Sequence, residues 1–331
     1  MTLRRWRRLA LAAVVTVALL YLVLRAVRPA ELAETLSEVS PGLVLLAALS
    51  AFVFISARAW RYRLLLGNGQ PRRMRTILAV TLGSWGASLI LPGPSGDATF
   101  VVLARTRLRA PVAVGTGAVV LSRLLDLASL LLVALVMAPL AGVRLPRPLL
   151  AGGVALAILI GAGLTAVFWG RPRRALVGWL ERLALPRSIH DRLHLAIEEL
   201  GSGSRPALLV VATLAARVAT GLQYFALFAA IDQPLSPVEV WFALSIRTLL
   251  LAVPIQGLAG LGTTQVWWTA GLTLLGWPAD EALAASLAVH LLDLGISLPQ
   301  AAAGWVLLIS GAGPRAAEPP EVTAAGPSNS G

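Results

Sequence analysis

The 331-residue chain contains no cysteine and no lysine, and it has only three histidines. Without cysteine it can form no disulfide and no thiolate metal site. The histidines, His190, His194 and His290, have no evident third ligand for zinc, so we expect no metal and no other cofactor. The Gly-x-x-x-x-Gly-Lys-Ser/Thr loop that cradles nucleotide phosphates is also missing. Any net pumping would therefore draw on an ion gradient, the membrane potential or mass action.

Charge is scarce as well. Charged residues make up 13 % of the chain, hydrophobic residues make up 57 %, and the mean hydropathy is +0.78. The apolar residues form solid blocks of about 18 or more, long enough to cross a bilayer core. Only helices and closed barrels satisfy their backbone groups there, and barrels show short alternating strands instead. The composition predicts an all-α, polytopic membrane helical bundle.

The charge that is present is strongly basic, with a net charge of +12 carried entirely by arginine. Such a balance can indicate nucleic acid binding, but most of these arginines flank apolar blocks. That arrangement is typical of cytoplasmic loops, so we expect no nucleic acid partner. The chain is predicted to lie in the cell (inner) membrane as a multi-pass protein with both termini cytoplasmic. Four arginines within 4–8 precede a run that is long for a signal peptide, which indicates a retained anchor.

The apolar blocks predict about six full spans and two interrupted blocks. The six spans are 9–27, 41–60, 111–139, 148–169, 206–230 and 282–310. The interrupted blocks are 76–104, broken at 91–97, and 238–276, broken at 253–265 by residues rich in Pro and Gly. The halves of the first block are too short for full spans, and broken backbone is tolerated at that depth only inside protein or water. Each interrupted block is therefore predicted to be a re-entrant helical hairpin.

The predicted domain organisation is one transmembrane domain over 1–311 and a disordered tail over 312–331. The domain would have two halves, about 41–139 and 206–310. An amphipathic, cytoplasmic segment over 171–205 would link them, since basic amphipathic helices with a Trp usually lie on the membrane surface.

A short motif repeats after the two interruptions. Arg123-Leu-Leu-Asp126-Leu follows the first, and His290-Leu-Leu-Asp293-Leu follows the second. Judged by the flanking charges, the first hairpin enters from inside and the second from outside. This pattern predicts an inverted-topology repeat, in which broken helices meet near the midplane and mark a transport site.

Several ionisable residues fall within the predicted spans and hairpins. Such residues are costly in the bilayer and by default indicate function. We predict that they bind an anionic head group, because the planar fork of arginine can bond two phosphate oxygens at once. The candidate substrate-binding residues are Arg123, Asp126, Asp97, Arg217, Arg247, His290 and Asp293.

Structural explanations stay open for several of these residues. Arg123 and Asp126 share a helix face at i, i+3 spacing, as do His290 and Asp293, so such pairs could be neutralised contacts between helices. Asp97 follows a turn and could cap the next helix. No motif surrounds Arg217, which favours a structural role. The arginines within 58–75 are interpreted as topology signals alone.

Four segments together resemble a known family. They are 58–66 (RAWRYRLLL), 91–97 (LPGPSGD), 123–126 (RLLD) and 254–262 (PIQGLAGLG). They resemble the flippase-like membrane family, the transmembrane region of lysylphosphatidylglycerol synthases and its stand-alone relatives. The resemblance extends over about 5–310.

The sequence also departs from the family pattern. Asp97 stands where the family often has Glu, Gln265 stands near a position where Glu is common, and His290 stands where arginine is common. The missing carboxylate near Gln265 puts a coupling role there in doubt. Only about 20 residues follow the last span, so we expect the synthase activity of the bifunctional members to be absent.

The resemblance implies a translocase for a lipid or lipid-linked glycan. Its substrate would be an anionic phospholipid or a polyprenyl-phosphate-linked molecule. One alternative is a non-catalytic partner of a cell-envelope synthase or glycosyltransferase. A second is an intramembrane transferase that uses Asp97, Asp126 and Asp293.

Overall fold

The computed structural model describes residues 37–67, 73–91, 94–168, 178, 206–233, 235–251 and 258–310. Within these residues the chain forms nine α-helices, one 3-10 turn and no strand, which confirms the all-α fold class. The helices are α1 (Pro41–Leu65), α2 (Met74–Ile90), α3 (Ser95–Leu108), α4 (Val112–Leu140), α5 (Arg147–Phe168), α6 (Pro206–Ala230), α7 (Pro237–Leu250), α8 (Thr263–Thr273) and α9 (Ala279–Ile309), and the 3-10 turn is Leu258–Gly260.

Five helices are long and apolar enough to cross a membrane, namely α1, α4, α5, α6 and α9. They confirm five of the predicted spans to within a few residues. The largest differences are that α1 continues to Leu65 and that α9 begins at Ala279, directly after Pro278. The predicted span 9–27, the tail 312–331 and the linking segment 171–205 (apart from Gly178) lie outside the described residues.

Each interrupted block is a pair of short helices packed against each other, as predicted. The pairs are α2 with α3 and α7 with α8, and their helices contain 17, 14, 14 and 11 residues. At 1.5 Å per residue they are about 16 to 26 Å long, less than the ~30 Å hydrocarbon core. Gly96 allows the first pair to close, because a Cβ there would lie 2.6 Å from Ser88 Cβ.

The two halves of the chain pack in the same pattern. Helices α1 and α6 pack along each other at the centre. The first hairpin packs through α2 on α9 of the other half, and the second packs through α7 on α4. Exchanging α1–α4 for α6–α9 therefore reproduces the packing, which indicates an approximate two-fold relation between the halves. Helix α5 lies outside this relation and is mostly unburied.

The two-fold relation inverts the halves. The amide of Ser40, at the start of α1, donates to the carbonyl of Ala230 at the end of α6 (3.2 Å). Near the other end of α1, Arg61 reaches Thr213 in the first half of α6. Helices α1 and α6 are therefore antiparallel. The approximate two-fold axis that relates the two halves is then perpendicular to these helices, and for membrane-spanning helices such an axis lies in the membrane plane. This confirms the predicted inverted repeat.

Small residues line the contact between α2 and α9. A Cβ added at Gly86 would lie 2.8 Å from Ala301 Cβ, and one added at Gly304 would overlap Leu82. Small residues of this kind let helix backbones approach closely in membranes. The first hairpin is thus held directly against the long helix of the second half.

Candidate functional site

An ion cluster joins three helices inside the bundle, and its member on α1 lies four residues before the end of that helix. Arg61 of α1 donates to both carboxylate oxygens of Asp126 of α4, at 2.9 Å each. Arg217 of α6 donates to Oδ1 of the same carboxylate at 2.6 Å. Arg61 also donates to the hydroxyls of Ser122 (2.8 Å) and Thr213 (3.4 Å). One carboxylate therefore holds the first half of the chain to the central helix of the second.

Arg58 stands beside this ion cluster without a carboxylate partner in ion-pair contact among the described residues. Its guanidinium donates to the Tyr62 hydroxyl at 3.3 Å. It also lies 5.7 Å from the ring centres of both Tyr62 and Trp85, a cation–π arrangement. It is near enough to interact electrostatically with Asp126 and Asp97. We call the set Arg58, Arg61, Ser122, Asp126, Thr213 and Arg217 the Asp126 cluster.

The Asp126 cluster contains three guanidinium groups and one carboxylate. Its members are well enclosed, with side-chain exposures of 1 % for Arg61, 11 % for Arg217 and 13 % for Asp126. The Nε atoms of Arg61 and Arg217 are buried and have no hydrogen-bond partner in the described part of the chain. Buried polar atoms normally have a partner. The cluster thus has surplus positive charge and unused donors, both of which favour an anion.

A second ion pair lies beside the first hairpin. Arg123 of α4 donates through Nε and an Nη atom to the two oxygens of Asp97, both at 3.0 Å. Asp97 is in the first turn of α3, directly after the break. The pair is open, with Arg123 54 % exposed and Asp97 21 % exposed. Arg123 lies 11 residues into α4, about 16 Å from its start, so this open pair is near mid-depth.

The matching carboxylate of the second half has neutral hydrogen-bond partners. Asp293 of α9 accepts from the Gln223 side-chain amide (2.7 Å) and the Tyr224 hydroxyl (3.0 Å), both on α6. The Ser297 hydroxyl donates to it at 3.2 Å. Asp293 is 6 % exposed. Unlike Asp126, it has no guanidinium in hydrogen-bond contact among the described residues.

Arg247 and His290 complete this second group. The Arg247 guanidinium lies 5.6 Å from the Tyr224 ring centre and 5.9 Å from that of Trp268. Its buried Nε has no partner in the described ranges. His290 Nδ1 lies 2.8 Å from the Gln265 side-chain nitrogen. We call the set Gln223, Tyr224, Arg247, Gln265, His290, Asp293 and Ser297 the Asp293 cluster.

The two halves place corresponding residues at corresponding positions. Asp126 lies 14 residues after the start of α4, and Asp293 lies 14 residues after the start of α9. Asp97 is the third residue of α3 and bonds Arg123, three residues before Asp126. Gln265 and His290 repeat this contact in the second half: Gln265 is the third residue of α8, and His290 precedes Asp293 by three. An ion pair in one half is thus a neutral hydrogen bond in the other.

Two departures from the resembled pattern lie side by side in the structure. The Gln265 and His290 side chains contact each other. The second half therefore has a contact between an amide and an imidazole where the first half has an ion pair between Asp97 and Arg123.

One sequence interpretation is wrong, and two structural alternatives that the sequence left open are not what the structure shows. Arg123 does not pair with Asp126, because Asp97 and Arg61 supply their partners from other helices. Asp97 does not cap α3, whose N-cap residue is Pro94; its carboxylate bonds Arg123 instead. The arginines within 58–75 are more than topology signals, since Arg61 is buried in the Asp126 cluster. The contact between Arg217 and Asp126 agrees with a structural role for Arg217.

The predicted site residues form three groups rather than one. Arg217 joins Asp126, Arg123 joins Asp97, and Arg247 and His290 lie with Asp293. The sequence-based site left out Arg58 and Arg61 and also the neutral partners Gln223 and Tyr224. Gln265 was noted only as a departure from the family pattern. The spacing of Arg58 and Arg61 could have predicted their role. Residues at i and i+3 share a helix face, and a carboxylate in the membrane needs a cation as partner.

Comparison with known proteins identifies the family. The family model described as "Lysylphosphatidylglycerol synthase TM region" matches residues 9–299. No curated protein matches the chain, and no solved structure does. The match covers most of the chain and agrees with the helical architecture. The chain is therefore a multi-pass membrane protein that belongs to the family of the lysylphosphatidylglycerol synthase transmembrane region.

Proposed function

We propose that the protein moves an anionic lipid or lipid-linked glycan across the membrane, with the head group held at the Asp126 cluster. The observation that carries this proposal is the surplus of three guanidinium groups over one carboxylate in an enclosed, intramembrane position. Charge of this kind is expensive in the bilayer and is kept where it binds something. A phosphate, phosphodiester or pyrophosphate group would balance it.

Arg58 is the residue best placed to meet the head group. Arg61 is occupied by Asp126, Ser122 and Thr213, whereas Arg58 contacts only the Tyr62 hydroxyl and two aromatic faces among the described residues. Such contacts leave further guanidinium donors for an anion. The unused Nε of Arg217 adds another.

The open Asp97–Arg123 pair supports a polar route to this cluster. An ion pair near mid-depth is tolerated where it faces a bundle interior or a water-filled space. Its 54 % exposed arginine therefore favours such a space beside the first hairpin. A head group could travel there while its chains stay in the lipid.

The flanking arginines support an inner-membrane orientation with the Leu65 end of α1 cytoplasmic. The protein would bind its substrate without chemical conversion. Asp97 and Asp126 are each engaged by an arginine, and Asp293 belongs to a separate group. This arrangement favours transport over transfer chemistry, which needs converging acids.

Lipid exchange in proteoliposomes tests the proposal. Purified protein is reconstituted with acyl-labelled phosphatidylglycerol, with acyl-labelled phosphatidylcholine, or with a labelled polyprenyl-phosphate sugar, and head-group accessibility is followed over time. We expect protein-dependent exchange of at least one phosphate-bearing anionic lipid, faster than that of zwitterionic phosphatidylcholine. Protein-free vesicles give the background. No exchange of any lipid by folded protein would contradict the proposal and favour a role as a partner of an envelope enzyme.

A further inference from the structure

Asp293 has hydrogen-bond partners that can serve both protonation states of its carboxyl group. When it is ionised, Oδ1 accepts from Gln223 and Ser297, and Oδ2 accepts from the Tyr224 hydroxyl. When a proton sits on Oδ2, the contact with Tyr224 can reverse, because a hydroxyl both donates and accepts. Gln223 and Ser297 keep their bonds to Oδ1. Proton uptake therefore breaks no contact.

Asp126 lacks this property. Its two oxygens accept from Arg61 on both sides and from Arg217, and a guanidinium can only donate. A proton on either oxygen would face an N–H group. The equivalent positions of the two halves thus differ. The Asp126 carboxylate is bonded only by arginine side chains among the described residues, whereas the partners of Asp293 can accommodate a proton.

The other titratable group of this region is held neutral by its contacts. Gln265 Oε1 accepts from the Gly262 amide (2.7 Å), so the Gln265 Nε2 hydrogens point at His290 Nδ1. Nδ1 must accept, and the ring proton is then on Nε2, on the side of the Ala259 backbone. A proton added at His290 Nδ1 would face the hydrogens of the Gln265 side-chain amide, so that two hydrogen-bond donors would point at each other. Asp293, rather than His290, is the group that can change charge.

Arg247 responds to the charge of Asp293. In the part of the chain that the structure describes, Gln223 and Tyr224 from α6 and Ser297 from α9 itself bond Asp293, and Arg247 from α7 interacts with it electrostatically. His290 lies about one helical turn away on α9. Among them the only cation is Arg247, which interacts with Asp293 electrostatically but is not in ion-pair contact with it. An ionised Asp293 attracts Arg247, and a protonated Asp293 does not.

We propose that Asp293 is a proton-binding site and that its protonation releases Arg247, together with the Tyr224 hydroxyl hydrogen, to bind an anionic head group. The step is balanced: one proton joins Oδ2, the carboxylate becomes a carboxylic acid, and Tyr224 turns its hydrogen from Asp293 towards the anion. Proton and head group then bind together at the Asp293 cluster, which is a second head-group site in addition to the Asp126 cluster. The head-group part rests on the proposed function, whereas the proton site does not.

The variant Asp293→Asn tests this directly. Asparagine imitates the protonated acid, because its NH₂ can donate to Tyr224 and its oxygen can accept from Gln223 and Ser297. Asp280→Asn is the matched control, since Asp280 is an exposed acid on the same helix. The ligand is short-chain phosphatidylglycerol, added to purified protein in weakly buffered detergent with a pH-indicator dye.

Wild type and Asp280→Asn should take up protons when the lipid binds, and their affinity should weaken as the pH rises, by at most about tenfold per pH unit for one linked proton. Asp293→Asn should bind without proton uptake and with an affinity that does not change with pH. Binding by wild type without proton uptake, or equal uptake by Asp293→Asn, would overturn the proposal.

Infrared titration separates the proton site from the lipid. A carbonyl band of a buried carboxylic acid should titrate in wild type and disappear in Asp293→Asn. If the band behaves so but no lipid binds, the proposed function fails and the proton site stands. If no such band titrates, the proton site is wrong whether or not lipid binds.

Discussion

Arg61→Leu should unfold far more easily than the wild type. Arg61 is 1 % exposed and donates to both oxygens of Asp126 and to Ser122. Leucine would leave Arg217 as the remaining ion-pair partner of Asp126 among the described residues. It would also remove the hydrogen bond that Arg61 donates to the Ser122 hydroxyl. Breaking a buried pair by removing one partner costs about 3–5 kcal/mol in other proteins, so we expect a loss of that order. Thermal unfolding of the detergent-solubilised protein measures it.

Two variants serve as controls for this stability prediction. Arg63→Leu removes an exposed arginine from the same helix and should leave the unfolding temperature nearly unchanged. Arg61→Lys keeps the charge but cannot form the two-pronged contact, so it should be intermediate. An Arg61→Leu protein as stable as Arg63→Leu would show that the Asp126 cluster does not hold the helices together.

Arg58→Gln should have the opposite profile, with a large loss of lipid exchange and little loss of stability. Among the described residues Arg58 makes one hydrogen bond to Tyr62 and two cation–π contacts, and no ion pair. A charge-assisted hydrogen bond to a phosphate contributes about 1.5–3 kcal/mol. Its loss should weaken head-group binding roughly 10- to 100-fold.

Exchange rates at limiting concentrations of labelled anionic lipid measure the effect of Arg58→Gln. The matched control is Arg63→Gln, which removes the same charge from an exposed position on α1. Equal exchange by both variants would mean that Arg58 does not meet the head group. A loss in both would point to total charge rather than to the site.

The membrane architecture was predictable because it depends on local composition. Apolar block length predicted α4, α5 and α6 to within one residue at either end, and the Pro/Gly interruptions predicted both hairpins. The repeated motif around Asp126 and Asp293 predicted the inverted repeat. Bilayer thickness imposes these patterns directly on the sequence, so no knowledge of tertiary contacts was needed.

The partners of the charged residues were not predictable in the same way. Asp126 is bonded to residues 65 and 91 positions away in the chain, and sequence spacing suggested Arg123 instead. Asp126 accepts three hydrogen bonds from Arg61 and Arg217 on neighbouring helices. These replace the single contact with Arg123 that the spacing along α4 suggested. The role of Arg61 was not predictable because it belongs to a run of arginines that also determines the topology. Sequence alone does not distinguish the arginines of that run that point into the bundle from those that point outward.

The central claim is that an anionic head group binds at the Asp126 cluster, and photolabelling tests it most directly. A phosphatidylglycerol with a photoactivatable group on its head is crosslinked to wild-type protein in vesicles, and the labelled peptides are mapped with and without excess unlabelled lipid. We expect competed label near Arg58 on α1 and near Arg217 on α6. Helix α5 is the internal control, because it is mostly unburied and carries no residue of the proposed site. Competed label confined to α5 and the helix ends would contradict the account.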